Sequence, residues 1–210
     1  MRIRSDDFAE MQPIAVDFAF GKPGPDGEPC VFAPNRTPHL AWSDVPQGTR
    51  SFALICVDTD VPTRADDVNQ QDRHVPASLP RQEFFHWVMV DIPPECGELG
   101  SGSCGEDVVP RGKRDPFGPP GTKQGINDFT SWFAGDKDMA GDYYGYDGPC
   151  PPWNDDLIHH YHFHVYALDV ATLGLSGRFT AADVRAAMQG HILGEAGVTG
   201  TYTLNAALRR

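Results

Sequence analysis

Two near-continuous apolar runs, Phe52-Ala-Leu-Ile-Cys-Val57 and Phe84-Phe-His-Trp-Val-Met-Val-Asp-Ile92, constrain this chain more than any other feature. Each has the length of a strand, and apolar residues at successive strand positions occupy both faces of a sheet. Such strands need cover on both sides. Val45-Pro-Gln-Gly48 precedes the first run and Ile92-Pro-Pro94 ends the second, so turns bound them. Tyr161-His-Phe-His-Val-Tyr-Ala-Leu168 alternates as a third strand, and Gly197-Val-Thr-Gly-Thr-Tyr-Thr-Leu204 reads as a fourth, rich in β-branched residues. One helix is expected, from Thr180 to about Leu193, with Thr180 as cap and Asp183 three residues on imitating a capping box. With 22 glycines and 19 prolines in 210 residues, many short strands joined by punctuated loops are favoured over a helical bundle. The expectation is an all-β fold in one domain spanning 1–210. Residues 93–152 form a Gly/Pro/Asp-rich stretch without periodicity, the kind of long loop that carries function.

Charge and cysteine usage narrow the partners. The 17 basic and 29 acidic residues leave a net charge of −12, which repels nucleic acid and anionic bilayers. The densest basic cluster, Arg111-Gly-Lys113-Arg114, is bracketed by acids. No apolar run approaches the ~20 residues of a membrane span, so neither nucleic acid nor an integral membrane position is expected. The N-terminus meets Asp6 and Asp7 without an apolar signal segment, which predicts a cytoplasmic location. The five cysteines, Cys30, Cys56, Cys96, Cys104 and Cys150, include no CxxC and are odd in number, against a disulfide framework or a zinc ribbon. Cys96 and Cys104 share one Gly-rich loop and can bridge if oxidised. The Trp87 and Met89 face of the second run needs cover from the long loops or from a second subunit, and a homodimer is expected on that ground.

Four places hold polar groups that the strand pattern does not demand. In Asp58-Thr-Asp60-Val-Pro62, alternation puts both carboxylates on one side, roughly 6.5–7 Å apart. The bland reading is a strand end turning at Asp and Pro. His86 shares a face with Phe84, Val88, Val90 and Ile92 by the same alternation, which makes it a core histidine or, opposite a carboxylate, a cationic donor. Tyr146-Asp-Gly-Pro-Cys-Pro-Pro152 is stiffened by three prolines and forms a wall or a spacer. In His159-His-Tyr-His-Phe-His164, alternation sends His159, Tyr161 and Phe163 inward and His160, His162 and His164 outward. An H-x-H on a strand also suits a cupin-type metal site, but no glutamate follows at a suitable spacing. GxSxG, P-loop and HExxH motifs are absent, and Gly100-Ser-Gly102-Ser-Cys-Gly105 reads as a flexible glycine-serine stretch.

In order along the chain, these segments resemble the phosphatidylethanolamine-binding (Raf kinase inhibitor-like) family, in its bacterial branch. Thr37-Pro-His-Leu-Ala-Trp42 with Pro46-Gln-Gly-Thr-Arg-Ser51 is similar to the family's S-P-x-L-x-W…P-x-G-T-x-S. Asp58-Thr-Asp60-Val-Pro62 resembles D-P-D-A-P, and His86-Trp87-Val88 with Ile92-Pro93 resembles H-W-V-V-x-x-I-P. Asn127-Asp-Phe129, Gly148-Pro-Cys-Pro-Pro152, His159-His-Tyr161, Ala167-Leu-Asp169, Gly190-His191 and Gly200-Thr-Tyr202 follow in the family's order, so the likeness runs from about 30 to 204. The resemblance implies an antiparallel β-sandwich with a few short helices, one near the C-terminus, and a small pocket for phosphate-like anions or phosphorylated headgroups. It implies a lining of Asp58, Asp60, His86, Gly148, Pro149, Pro151, Pro152, His159 and Tyr161. Thr59 stands where the family has proline and His160 where it has arginine, which removes a cation near the mouth. The segments 64–82 and 130–142 look like insertions able to narrow the pocket.

A binding or regulatory module without metal or organic cofactor is the leading reading, since these motifs offer no activated nucleophile. The alternatives are a hydrolase-like enzyme with His86 or His159 as base beside Asp58 or Asp60, with water or Cys150 as nucleophile, and a cupin-like metalloprotein using His160, His162 and His164.

Overall fold

In the computed structural model, which describes residues 1–209, the apolar runs become the centre of the fold. The strands are β1 (Arg2–Arg4), β2 (Gln12–Pro13), β3 (Gly21–Lys22), β4 (Val31–Phe32), β5 (Leu40–Ser43), β6 (Ser51–Pro62), β7 (Arg81–Ile92), β8 (Glu98–Leu99), β9 (Lys123–Gln124), β10 (His159–Leu168) and β11 (Ile192–Tyr202). The helices are α1 (Phe129–Trp132) and α2 (Ala181–Ala187). The main sheet has the order β2-β11-β10-β6-β7-β9, antiparallel except for the β2–β11 pair, and a three-stranded sheet β1-β5-β8 lies apart from it. The chain is mostly β-sheet, as expected.

Both faces of β6 and β7 are covered by the chain itself. On one side Leu54, Cys56, Trp87, Met89, Phe163 and Val165 pack with Leu40 and Trp42 of β5 and Leu99 of β8. This is the sandwich core, and Trp87 and Met89 are fully buried in it. On the other side Ala53, Ile55, Val88 and Val90 pack against Phe179, Val184 and Met188 from α2 and the segment before it. The face for which a second subunit was invoked is therefore closed within one chain.

Two register shifts in β7 overturn the expected facing of His86. Cys56 pairs with Trp87 while Val57 pairs with Phe85, so His86 is an extra residue in the ladder. It turns to the same face as Trp87, and its ring lies 5.1 Å from that of Tyr161. Near the other end Leu54 pairs with Met89 and Phe52 with Ile92, with Asp91 at φ 57°, and this second bulge moves Ile92 into the Trp87–Met89 core. His86 thus shares its face with Phe84 and, through the second bulge, with Ile92, but not with Val88 or Val90.

Helix α2 begins where expected: the Thr180 hydroxyl accepts from the Asp183 N–H and the Asp183 carboxylate accepts from the Thr180 N–H. It ends well short of Leu193. Gly190 adopts φ 81°, a left-handed conformation that favours glycine, and Ile192 already starts β11.

Residues 93–152 are ordered by side chains instead of by a long ladder. Asp147, fully buried, is their hub. Its Oδ1 accepts from Asn35 Nδ2 at 2.7 Å and Lys113 Nζ at 3.1 Å, and its Oδ2 accepts from Asn127 Nδ2 at 2.8 Å. A buried carboxylate needs such partners, since water no longer solvates it.

Candidate functional site

At one end of the sandwich, β6, β7 and β10 open into a cavity of about 520 Å³. Its walls are largely apolar, with Phe20, Phe84 and Phe129 prominent. Phe20 and Phe129 stack with centroids 4.5 Å apart, and Phe84 meets Phe129 edge-on at 5.1 Å. Polar groups gather at one place, where Asp58, His86, His159 and Tyr161 line the cavity.

Pairing of Asp58 with Tyr161 across β6 and β10, and with Phe84 across β6 and β7, puts these three on one face. Asp58 Oδ1 accepts the Asp60 N–H at 2.8 Å, a local turn that breaks the ladder before Val61. The break sends Asp60 away from Asp58. Asp60 Oδ2 instead accepts from the backbone N–H of His160 and faces His160 Nδ1, both at 2.8 Å, and Asp60 does not line the cavity. Alternation had assigned both aspartates to one side.

His159 is fully buried between two carboxylates. Its Nδ1 donates to Asp58 Oδ2 at 2.7 Å and its Nε2 donates to Asp155 Oδ2 at 3.1 Å. Burial alone would lower its pKa, but Asp58 and Asp155 outweigh it and bring the imidazole up to about 9. Asp155 in turn is gripped by Arg81 through Nη1 at 2.6 Å and Nη2 at 3.0 Å. Burial pushes the Asp155 carboxyl up, but His159 and Arg81 together hold it below its ordinary value. Asp58, His159, Asp155 and Arg81 form one chain of alternating charge with no net excess.

His86 behaves in the opposite way. Its Nδ1–H donates to the Asp147 carbonyl at 2.7 Å, and among the described residues Nε2 has no hydrogen-bond partner. Burial lowers its pKa, against the pull of Asp58. The two histidines are thus a fixed cation and a neutral ring with its Nε2 left free among the described residues. The Tyr161 hydroxyl is buried near Asp58 without a hydrogen bond of normal length among the described residues, and burial, with the Asp58 carboxylate beside it, raises its pKa well above the ordinary phenol value.

Pro151 and Pro152 line the cavity, whereas Gly148 and Pro149 stand behind the wall. A Cβ at position 148 would lie 2.1 Å from the Phe18 carbonyl, so only glycine lets the two backbones approach. The Pro149 carbonyl accepts from the N–H groups of Phe20 and Gly21. Both residues hold the wall in place.

Both segments read as insertions reach the cavity: Ala65, Val68 and Asn69 line it from 64–82, Trp132 and Phe133 from 130–142. His160, His162 and His164 sit on the opposite face of β10 as a ladder of rings 6.4 and 6.3 Å apart. His162 faces Thr199 through Nδ1 and Thr59 through Nε2, and among the described residues no three His, Cys, Asp or Glu side chains converge as metal ligands. Among the described residues no helix is long and apolar enough to cross a membrane.

Sequence reasoning missed Asp155, Arg81 and Asp147. Asp147 directly precedes the Gly148–Pro152 motif and was open to notice there, but Asp155 and Arg81 are 74 residues apart and sit in no pattern.

Comparison with known proteins bears on the family and the fold. A protein of Aquifex aeolicus described as UPF0098 protein is 37% identical over 168 residues, 79% of this chain and 73% of its own length. The UPF0098 protein YbhB of Escherichia coli is 29% identical over 203 residues, 97% of this chain and all of its own. The crystal structure of Escherichia coli YbcL, described as a new member of the mammalian PEBP family, superposes with a TM-score of 0.69 at 27% identity, covering 96% of this chain and 97% of that one. The sequence profile of the phosphatidylethanolamine-binding protein family matches residues 4–203, and the chain belongs to that family.

Proposed function

We propose that this chain acts as a single ligand-binding unit, without catalytic turnover. Its cavity takes a small molecule with one phosphate-like head and an apolar body. The observation that carries this reading is the Tyr161 hydroxyl, buried without a hydrogen bond of normal length among the described residues, at the Asp58 end of a largely apolar cavity. An unmet buried hydroxyl costs about 1–3 kcal/mol, which a ligand oxygen accepting from it removes. His86 Nε2 supplies a second contact once the ring takes up a proton. The aromatic walls suit the body of the ligand.

Among the described residues no lysine or arginine lines the cavity, and the charge of His159 is already matched by Asp58 and Asp155. A bare dianion therefore finds little to hold it, and the apolar body must contribute. The same pairing argues against His159 as the base of a hydrolase, because an imidazole with a pKa of about 9 is already protonated at neutral pH. Calorimetric titration with phenyl phosphate, phosphoethanolamine and inorganic phosphate tests the proposal. Phenyl phosphate should bind most tightly, and Tyr161→Phe should weaken it by about tenfold. Equal binding of all three, or unchanged binding by the variant, would refute it.

A further inference from the structure

The cavity wall contains two thiols that no part of the ligand-binding reading uses. Cys30 Sγ and Cys150 Sγ stand 3.8 Å apart, though 120 residues separate them in sequence. Cys30 precedes β4, whose Val31 and Phe32 line the cavity, and Cys150 lies between Pro149 and Pro151 in the proline wall. The space in which the sulfurs meet is left open by Gly21: a Cβ there would lie 2.5 Å from Cys150 Sγ and 2.7 Å from Cys30 Sγ. Backbone hydrogen bonds from Phe20 and Gly21 to the Pro149 carbonyl keep this arrangement in place.

The other cysteines differ. Cys56 is buried in the sandwich core, Cys104 is buried with its thiol pushed up to about 11, and Cys96 Sγ donates to the Glu98 carbonyl. The loop pair Cys96 and Cys104, singled out by sequence, has no sulfur contact like that of Cys30 and Cys150. Within the close pair the roles are unequal. The contact between the two sulfurs lowers the Cys30 thiol and raises that of Cys150.

We propose that Cys30 and Cys150 are a redox couple built into the cavity wall, which low-molecular-weight disulfides close into a bond that alters ligand retention. In the first step the Cys30 thiolate attacks one sulfur of the small disulfide. That S–S bond breaks, and one small thiolate leaves and takes up a proton, with a mixed disulfide left on Cys30. Cys150 then loses its proton, its sulfur attacks Cys30 Sγ, and the second small thiolate leaves and is protonated. Two protein thiols are oxidised and one small disulfide is reduced to two thiols. Sulfur atoms 3.8 Å apart must approach by about 1.8 Å to reach bonding distance. That movement draws the Phe32 segment onto the proline wall and narrows the mouth between them.

The test exposes the full-length protein to oxidised glutathione and counts free thiols, maps the bond by mass spectrometry, and titrates the cavity with 8-anilinonaphthalene-1-sulfonate before and after. Expected are the loss of two thiols, a Cys30–Cys150 linked peptide, and at least a threefold change in dye affinity that dithiothreitol reverses. Cys30→Ser, at the half-buried position, should keep its remaining thiols free and its dye affinity constant, and Cys150→Ser should do the same if it folds. Retention of every thiol, a bond between other cysteines, glutathione stopping on Cys30, or equal dye affinity in both states would each overturn the proposal. The thiol count does not depend on the cavity's ligand, and dye binding to the reduced protein examines the cavity alone, so the two readings can fail separately.

Discussion

Asp155 and His159 stand four residues apart at the start of β10, with Oδ2 3.1 Å from Nε2, and Arg81 closes on the same carboxylate from β7. This contact stitches the loop before β10 to the edge of the cavity. Because the His159 pKa in the folded protein, about 9, lies above the ordinary 6.5, its contribution to stability is fully present below pH 6.5 and is lost as pH rises through 9. The shift corresponds to on the order of 3 kcal/mol. Urea denaturation between pH 6 and 10 should show a falling midpoint over that window, and His159→Asn should flatten it. A midpoint that stays level in the parent protein would exclude a charged His159.

Asp155 has the reverse sign. Its folded pKa lies below 3.8, so its contribution is present above that value and declines as pH falls through the folded pKa. Arg81→Met removes one of the two partners that hold it down. The variant should lose stability at neutral pH, and its acid transition, followed by circular dichroism, should begin at a higher pH than in the parent.

On the proposed ligand-binding reading, His86 should set how binding responds to pH. Burial keeps it neutral near pH 7, and an incoming anion favours the protonated ring. Phenyl phosphate affinity should therefore rise as pH falls toward 5, with proton uptake visible as a dependence of binding heat on buffer ionisation enthalpy. His86→Ala should abolish the slope. Equal slopes in both proteins would assign the proton elsewhere.

The Asp147 hub is a matter of stability. Lys113→Met leaves a buried carboxylate with only the amides of Asn35 and Asn127, and should cost about 3–5 kcal/mol. Adding Asp147→Asn should restore part of this loss, since the unpaired charge goes with it. A double-mutant cycle by denaturant titration reads the coupling directly. Gly148→Ala, which drives a methyl into the Phe18 carbonyl, should destabilise by about 1–3 kcal/mol with little change in ligand affinity, because the residue lies behind the wall.

Much of the fold was legible because burial on both faces writes itself into β6 and β7 as unbroken apolar runs, whatever the loops do. The Thr180 cap was legible for a similar reason, being local chemistry over four residues. The facing of His86 and Asp60 was not. Period-2 reasoning assumes an unbroken ladder, and bulges at His86 and after Asp58 shift the phase at the two places where the site is built. Asp58, His86, His159 and Tyr161 emerged from the ordered resemblance, but Arg81, Asp155 and the Cys30–Cys150 contact depend on chain crossings far apart in sequence. No local pattern reports those.

Because β7 carries an extra residue on either side of its Trp87–Val90 stretch, it behaves as three short strands of independent phase sharing one backbone. The middle stretch is locked by the interior. A slip, insertion or deletion among Arg81–Phe85, or in the 64–82 segment joined to it, is absorbed at His86 and goes no further. The rim of the cavity is free to vary while Trp87 and Met89 keep their places, so such a molecule can exchange one ligand for another without relearning how to fold.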